Sequence, residues 1–442
     1  MYPFAFSKVI LNDILAWTKK RILEGGDPKH GAQTAAALDP KLAGSITQSG
    51  IGGQAAFKLF TDVIVPSTRP FGHPTSLSFV ASAPSHAALS FDAALGATGI
   101  FAGNWDGGAG AIHAENQTLA WLSDMAGWDE SAGGVFVAGG TLGNLSALHA
   151  ARSWKALRTQ KPERWAILCS REAHSSIRAV AQVMDVDVIE VKPDETGKMY
   201  GAAARAAVQS NVFAIVANAG ATNCGAVDDI AGLADVAEEH DLWLHLDGAY
   251  GLAALADPAT RPVFDGIAHA HSFIVDPHKW LFAPYDSCAL VYRNAADGAN
   301  AHGQSAEYLD AVDTTHINPS DYALHLTRRA RGLPLWYSLA THGTDAYGLA
   351  IAQTIKTAAE IAQAIDGMPK VKLVLGPQLS VVLFKPTKLS DAEMDAWAET
   401  HRRSGALLCL PTTWRGQKVF RLCIVNPETQ AKDVVHVLDT LN

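Results

Sequence analysis

Lys279 is the side chain whose setting first promises chemistry. It stands near the end of Ser272-Phe-Ile-Val-Asp-Pro-His-Lys-Trp280. The apolar run Phe273–Val275 reads as a short buried strand broken at Asp276-Pro277, because proline cannot donate to a sheet ladder. The lysine therefore falls on a loop just past a strand end, the edge of an α/β sheet where ligands bind. An amine held among apolar neighbours loses affinity for its proton and becomes a usable nucleophile. The local pattern alone fits a solvated loop lysine better than a Schiff-base lysine. What shifts the balance lies upstream, where Leu242-Trp-Leu-His-Leu246 reads as a second buried strand that delivers Asp247 and then Gly248-Ala249-Tyr250. A carboxylate at one strand end and a lysine after a later one are the two groups that pyridoxal phosphate requires.

The segments His245-Leu-Asp-Gly-Ala-Tyr250 and Asp276-Pro-His-Lys-Trp280 resemble the group II pyridoxal-phosphate-dependent amino acid decarboxylases, the family of aromatic amino acid and glutamate decarboxylases. The resemblance runs from about Phe71 to the C-terminus. It implies an α/β protein with the fold-type I PLP-dependent transferase (aspartate aminotransferase-like) fold. A mostly parallel sheet would occupy a large domain over 76–342, and a smaller α+β domain would follow over 343–442. Residues 1–75 would form an N-terminal helical segment wrapping around a second subunit of a homodimer.

The same resemblance implies roles for individual residues. Lys279 would hold pyridoxal phosphate as an internal aldimine, Asp247 would keep the pyridine nitrogen protonated, and His174 would lie flat against the ring. Gly140 and Thr141 match the phosphate cradle, with Thr222, Ala249 and His278 as further cofactor contacts. Phe79 and Ser82, in Phe79-Val-Ala-Ser-Ala-Pro84, match the segment lining the substrate side chain, and Trp105 and His113 fall where the family has a substrate-pocket loop. A tyrosine on a mobile loop, reaching across the dimer, supplies the proton that ends decarboxylation. Tyr322 is the first candidate and Tyr308 the second.

The elements that must position these groups follow from pattern. Gly134-Val-Phe-Val-Ala138 reads as a strand running into Gly139-Gly-Thr-Leu-Gly-Asn144 and a helix from Leu145 to about Leu157. Such a turn offers free backbone N–H groups and a positive dipole end to a phosphate, although glycines also occur simply where sheet and helix pack tightly. Strand and helix then alternate: Trp165–Cys169, a helix from about Ser175, Val186–Val191, Ala202–Gln209, Val212–Ala217. That order predicts a doubly wound, mostly parallel sheet. Thr222 either bonds the cofactor or caps a helix beginning near Val227, where Asp228 would serve as well.

Other segments read less singly. Ser7 to about Glu24 has helical spacing with an apolar set that includes Leu11, Ile14, Leu15 and Trp17. Phe101 to His113 holds four glycines and reads as a loop; His113 either touches substrate or caps a helix from about Ala114. The polar stretch Asn294–Ala323 lacks periodicity and predicts a mobile loop. Arg331 reads as a holder of phosphate or of a loop, or as surface charge. Arg421, among apolar neighbours, needs an anionic partner if buried: a substrate carboxylate or an internal Asp or Glu.

Composition bounds the rest. At 442 residues, 48% hydrophobic and 18% charged, the chain is long enough for a large core and a second domain. A net charge of −9 gives no basic footprint for nucleic acid or an anionic membrane. The five cysteines are widely spaced and mostly inside apolar runs, as expected of reduced core residues in a cytoplasmic protein. There is no metal-ligand pattern. Decarboxylation of an L-amino acid to its amine is the leading expectation; oxidative decarboxylation to an aldehyde, another carbon–carbon lyase reaction and a non-catalytic dimeric scaffold are the alternatives. The trio Asp247, His174 and Lys279 argues against the scaffold. No Arg or Lys stands in Phe79–Pro84 or Gly103–Ala114, which favours an aromatic or other apolar substrate side chain, whereas Asp106 and Glu115 would suit a basic one such as diaminobutyrate.

Overall fold

The structure is a computed structural model, and residues 4, 6–303, 316 and 318–441 are described. Seven strands form the main sheet: β1 (Gly133–Val137), β2 (Ala166–Ser170), β3 (Asp187–Val191), β4 (Val212–Asn218), β5 (Trp243–Asp247), β6 (Ser272–Val275) and β7 (Cys288–Tyr292). Their spatial order is β1-β7-β6-β5-β4-β2-β3. β7 is antiparallel to both its neighbours, and every other pair is parallel. The central strands are buried along their whole length, as a parallel sheet covered by helices on both faces requires. Alternation divides their side chains: Ile215, Leu244 and Phe273 enter one core, while Ala214, Trp243 and Ile274 enter the other.

A second sheet contains β8 (Val371–Gln378), β9 (Val381–Pro386), β10 (Pro411–Trp414) and β11 (Gln417–Cys423), in the order β10-β11-β9-β8 and antiparallel throughout. It packs with the long Thr344–Asp366 helix around Ile361, Phe384, Phe420 and Leu422. The mostly parallel α/β layer followed by a small α+β unit is the architecture expected from the strand–helix order.

Three local expectations are corrected. The stretch from Trp105 is helical, not a loop: the helix spans Trp105–Met125, Asn104 caps it by accepting the Gly107 N–H at 2.9 Å, and Gly108 (φ −159°) marks a kink. Glycines cost a helix roughly 1 kcal/mol each, and the cap together with burial of Ile112, Leu119 and Leu122 offsets that. The helix after β1 begins at Gly140, five residues before the expected start, so the glycine-rich turn is itself its first turn. A helix also forms over Ala295–His302, inside the stretch read as structureless; residues 304–315 and 317 lie outside the described residues. The N-terminal helix is found at Lys8–Glu24, with Ser7 as its cap. Among the described residues, no helix is long and apolar enough to cross a membrane.

Two buried histidines give the fold a pH dependence. Burial pushes the imidazoles of His245 and His302 down to about 4, against an ordinary value near 6.5 for an unfolded chain. Folded values below the unfolded one contribute stability that is complete above pH 6.5 and lost as pH falls toward 4. The urea midpoint should drop across that window, and His302→Gln should flatten the drop. A midpoint that holds constant from pH 6.5 to 4 would contradict this assignment.

Candidate active site

β2, β4, β5 and β6 run parallel, and β1 shares their direction because both it and β6 oppose β7. All five therefore release their following loops at one edge of the sheet. Those loops surround a cavity of about 570 Å³. Gly140 and Thr141 reach it from the end of β1, His174 from β2, Thr222 from β4, Asp247 and Ala249 from β5, and His278 and Lys279 from β6. The eight residues expected on the cofactor side are thus brought together.

Lys279 does not behave as an isolated apolar-pocket amine. Its Nζ lies 2.9 Å from Asp276 Oδ2, and the Asp276 side chain is almost fully buried. Burial works to lower the proton affinity of the amine, but Asp276, with Asp247 further off, outweighs it and the net shift is upward. The magnitudes are close. Two unit charges ~3 Å apart attract by about 5 kcal/mol at an effective dielectric constant of about 20, comparable with the several kcal/mol that desolvating an ion costs. The charge of Asp276, its hydrogen bond to the amine and the charge of Asp247 together carry the shift upward. The sequence reading of a lysine with a weakened hold on its proton is therefore corrected.

Asp247 ends β5, nearly buried. Its Oδ2 accepts from Asn144 Nδ2 at 3.0 Å and its Oδ1 from the Ala249 N–H at 3.3 Å. His174 is the N-cap of the Ser175–Met184 helix, with Nδ1 accepting the Ser176 N–H at 3.2 Å while its ring lines the cavity. Capping and facing the cavity are one arrangement. The His278 Nδ1 atom takes the Ser287 N–H at 3.1 Å, and burial lowers this ring's proton affinity. Thr222 caps no helix: Asp229 caps the one at Ile230–Glu239, and Asp228 is buried, accepting the N–H groups of Met199 and Asn218 at 2.7 Å each.

The residues fit pyridoxal phosphate. The 17-residue Gly140–Ala156 helix has no side-chain cap; the Leu142 and Gly143 N–H groups bond the Gly139 carbonyl at 3.0 and 3.1 Å, which leaves the N–H groups of Gly140 and Thr141, both on the cavity wall, for an anion. A Cβ at Gly139 would meet nothing within 4 Å, whereas one at Gly143 would come within 2.8 Å of Ile274. The turn is thus open toward the cavity and closed toward the sheet. Beside that turn, where a Cβ at Gly140 would come within 3.3 Å of Asp276 Oδ2, Asp276 Oδ1 is buried with no hydrogen-bond partner among the described residues.

The substrate-side expectations fare differently. Tyr322 is buried in the core beside Tyr292, whose hydroxyl donates to the Tyr322 carbonyl at 3.1 Å, and it does not line the cavity. A side chain packed there has no route to the site without leaving the core. Tyr308 lies outside the described residues. Phe79 is 57% exposed and away from the cavity wall. Ser82 is buried, its Oγ donating to the Ala283 carbonyl and its N–H to the Tyr285 hydroxyl. Trp105 stacks on His316, and His113 is on the exposed face of its helix. None of these four lines the cavity of this chain.

Charged residues are also reassigned. Glu115 is buried against Arg328 at 2.6 Å and so is unavailable to a basic substrate. Arg331 pairs at 3.1 Å with Asp286, a cavity residue. Arg421 is buried without a carboxylate partner among the described residues: Nη1 donates to the Phe79 carbonyl at 2.9 Å, while Nε and Nη2 have none. Sequence reasoning missed Asn144, Tyr285 and Asp286 on the cavity wall and gave Asp276 no role. Only Asp276 carried a signal, as a carboxylate three residues from the lysine.

The chain matches the model of the pyridoxal-dependent decarboxylase conserved domain over residues 54–387. It is 29% identical over 422 residues to an aromatic-L-amino-acid decarboxylase of Bacillus atrophaeus, covering 91% of this chain and 87% of that one. It is 32% identical over 424 residues to an L-2,4-diaminobutyrate decarboxylase of Rhizobium meliloti, covering 91% and 83%. The Oryza sativa TDC structure with PLP and tryptamine superposes with a TM-score of 0.91 at 21% identity, over 100% of this chain and 98% of that one. With the glycine-capped helix, the strand-end carboxylate and the lysine sharing one cavity, the chain belongs to the pyridoxal-dependent decarboxylase family and uses pyridoxal phosphate as its cofactor.

Proposed function

We propose that this decarboxylase converts an aromatic L-amino acid to its amine, with Lys279 as the residue that carries the cofactor. The observation that carries the reading is the convergence of Lys279, Asp247, His174 and the uncapped helix terminus on one cavity. Pyridoxal phosphate, when bound, supplies an electron sink for the bond broken at the substrate Cα. Gly140 and Thr141 hold its phosphate, Asp247 pairs with the ring nitrogen, and His174 covers the ring face. Thr222, Ala249 and His278 complete its surroundings. Asp276 keeps a proton on the Lys279 Nζ while the amine is free.

Cavity polarity supports the aromatic substrate. Among the described residues, Lys279 is the only Lys or Arg on its wall, so a distal carboxylate would lack a cationic partner among them, while Leu142, Leu145, Tyr250 and Tyr285 supply apolar and aromatic surface. A basic substrate is the second reading, and Asp286 favours it: this carboxylate lines the cavity, half-exposed, and among the described residues its one ion pair is with Arg331.

The working unit in this reading is a homodimer. The Lys8–Glu24 helix buries none of its residues and leaves Val9, Leu11, Leu15 and Leu23 exposed, an apolar face that a second copy would cover. All five cysteines are free and buried, which supports a reducing, cytoplasmic setting.

Incubation of the cofactor-loaded protein with a panel of aromatic, acidic and basic amino acids, read by mass spectrometry, should give amine and carbon dioxide from an aromatic substrate and nothing measurable from Lys279→Ala. Turnover of diaminobutyrate alone would transfer the assignment to the basic class, and aldehyde as the product would overturn amine formation. Asp276→Asn should weaken the hold of Lys279 on its proton, moving the pH midpoint for capture of pyridoxal phosphate by the cofactor-free protein to lower pH. An unmoved midpoint would show that Asp276 does not set the charge of this lysine. Light scattering should find dimers for the full chain and monomers after removal of residues 1–24; dimers in both would place the interface elsewhere.

A further inference from the structure

A chain of hydrogen bonds runs from the core to the cavity wall, which Asn144 and Ser176 line beside the two residues it ends on, Asp247 and His174. Trp243 Nε1 lies 2.8 Å from Ser272 Oγ, which lies 2.8 Å from His245 Nδ1. His245 Nε2 lies 2.9 Å from Asn144 Oδ1, and Asn144 Nδ2 reaches both Asp247 Oδ2, at 3.0 Å, and Ser176 Oγ, at 3.1 Å. Ser176 Oγ in turn stands 2.9 Å from His174 Nδ1. Trp243, Ser272 and His245 are fully buried, and Asn144 and Ser176 nearly so.

Donor and acceptor roles in this chain have one consistent assignment. An indole nitrogen only donates and an ionised carboxylate only accepts. Trp243 therefore gives its proton to Ser272 Oγ, and Ser272 gives its own to His245 Nδ1. From the other end, Asp247 requires the amide NH₂ of Asn144, which turns Asn144 Oδ1 toward His245 and demands a proton on Nε2. Both ends fix the same neutral imidazole. Ser176, accepting from Asn144, donates to His174 Nδ1, which also takes the Ser176 N–H. No link can reverse without leaving a buried group unpaired, at about 1–3 kcal/mol.

We infer that Asn144 and His245 are positioning residues that aim Asp247 at the cofactor's ring nitrogen and, through Ser176, set His174 in register with it. The inference rests on the assignment of Asp247 to that nitrogen. Asn144 is the branch point: one amide group orients the carboxylate at the ring's edge and the imidazole at its face. His245 fixes which way that amide is turned. A purely structural network would stabilise the fold and leave the cofactor's electronic state alone.

The test uses holoenzyme loaded with pyridoxal phosphate labelled with ¹⁵N in its ring. Asn144→Leu keeps the volume and removes the amide; His245→Phe removes the imidazole donor; His245→Gln retains an N–H. The inference predicts that Asn144→Leu and His245→Phe move the ring-nitrogen signal toward that of a neutral pyridine and lower kcat about tenfold with little change in KM, with His245→Gln between them and wild type. A wild-type signal and kcat in both variants, even with a lowered Tm, would overturn it. Asp247→Asn is the control, and if it too leaves the signal unchanged, the assignment of Asp247 fails and takes the inference with it. Should the variants not fold, neutron diffraction of the wild-type holoenzyme decides: hydrogen on His245 Nε2 and none on Nδ1 supports the inference, and hydrogen on Nδ1 overturns it.

Discussion

The parallel pairing of β4, β5 and β6 places Asn218 beside Asp247 and Asp247 beside Ile274, and the arrangement of the site depends on that register. A slip of one residue would turn each side chain to the opposite face of the sheet. Asp247 would then leave the cavity, with His245 turning away beside it, and Leu246 would take its place. The register is held by burial on both faces, since Leu244 and Leu246 pack into one core and Trp243 into the other. The two cores that stabilise the sheet thus also select which carboxylate faces the cavity.

On that frame the site concentrates charge where water is scarce. Asp247, Asp276 and Lys279 share one cavity wall, and Asp276 is 2% exposed. Buried ions persist when each is paired and hydrogen-bonded. Lys279 meets Asp276, Asp247 meets Asn144 and the Ala249 N–H, and the helix beginning at Gly140 offers its positive end without a side-chain cap. An anionic, aromatic cofactor with a protonated ring nitrogen complements each of these features in turn.

That these residues meet at one cavity was legible in the chain, because each closely follows or ends an apolar run: Gly140 after β1, His174 after β2, Thr222 after β4, Asp247 at the end of β5 and Lys279 after β6. The surroundings of the residues expected on the substrate side were not. Tyr322 looks like a loop residue until Tyr292, thirty positions away, buries it. The fate of Glu115 was set by Arg328, and the carbonyl that meets Arg421 belongs to Phe79. Such pairings exist only after the chain has folded, and no local periodicity announces them. The stretch from Trp105 failed differently: its glycines outweighed, in the reading, a cap at Asn104 and an apolar face that together make a helix. The charge on Lys279 was misjudged for a third reason, since burial was weighed without Asp276 three residues before it.

The central claim is that Lys279, delivered by β6 beside Asp276 and Asp247, is the residue that carries the cofactor. Borohydride reduction of the holoenzyme, followed by proteolysis and peptide mass mapping, addresses it directly. The account predicts a phosphopyridoxyl adduct on the peptide containing Asp276-Pro-His-Lys-Trp280, at Lys279 alone. An adduct on another lysine, or a spectroscopically loaded protein that yields no adduct at Lys279, would contradict it.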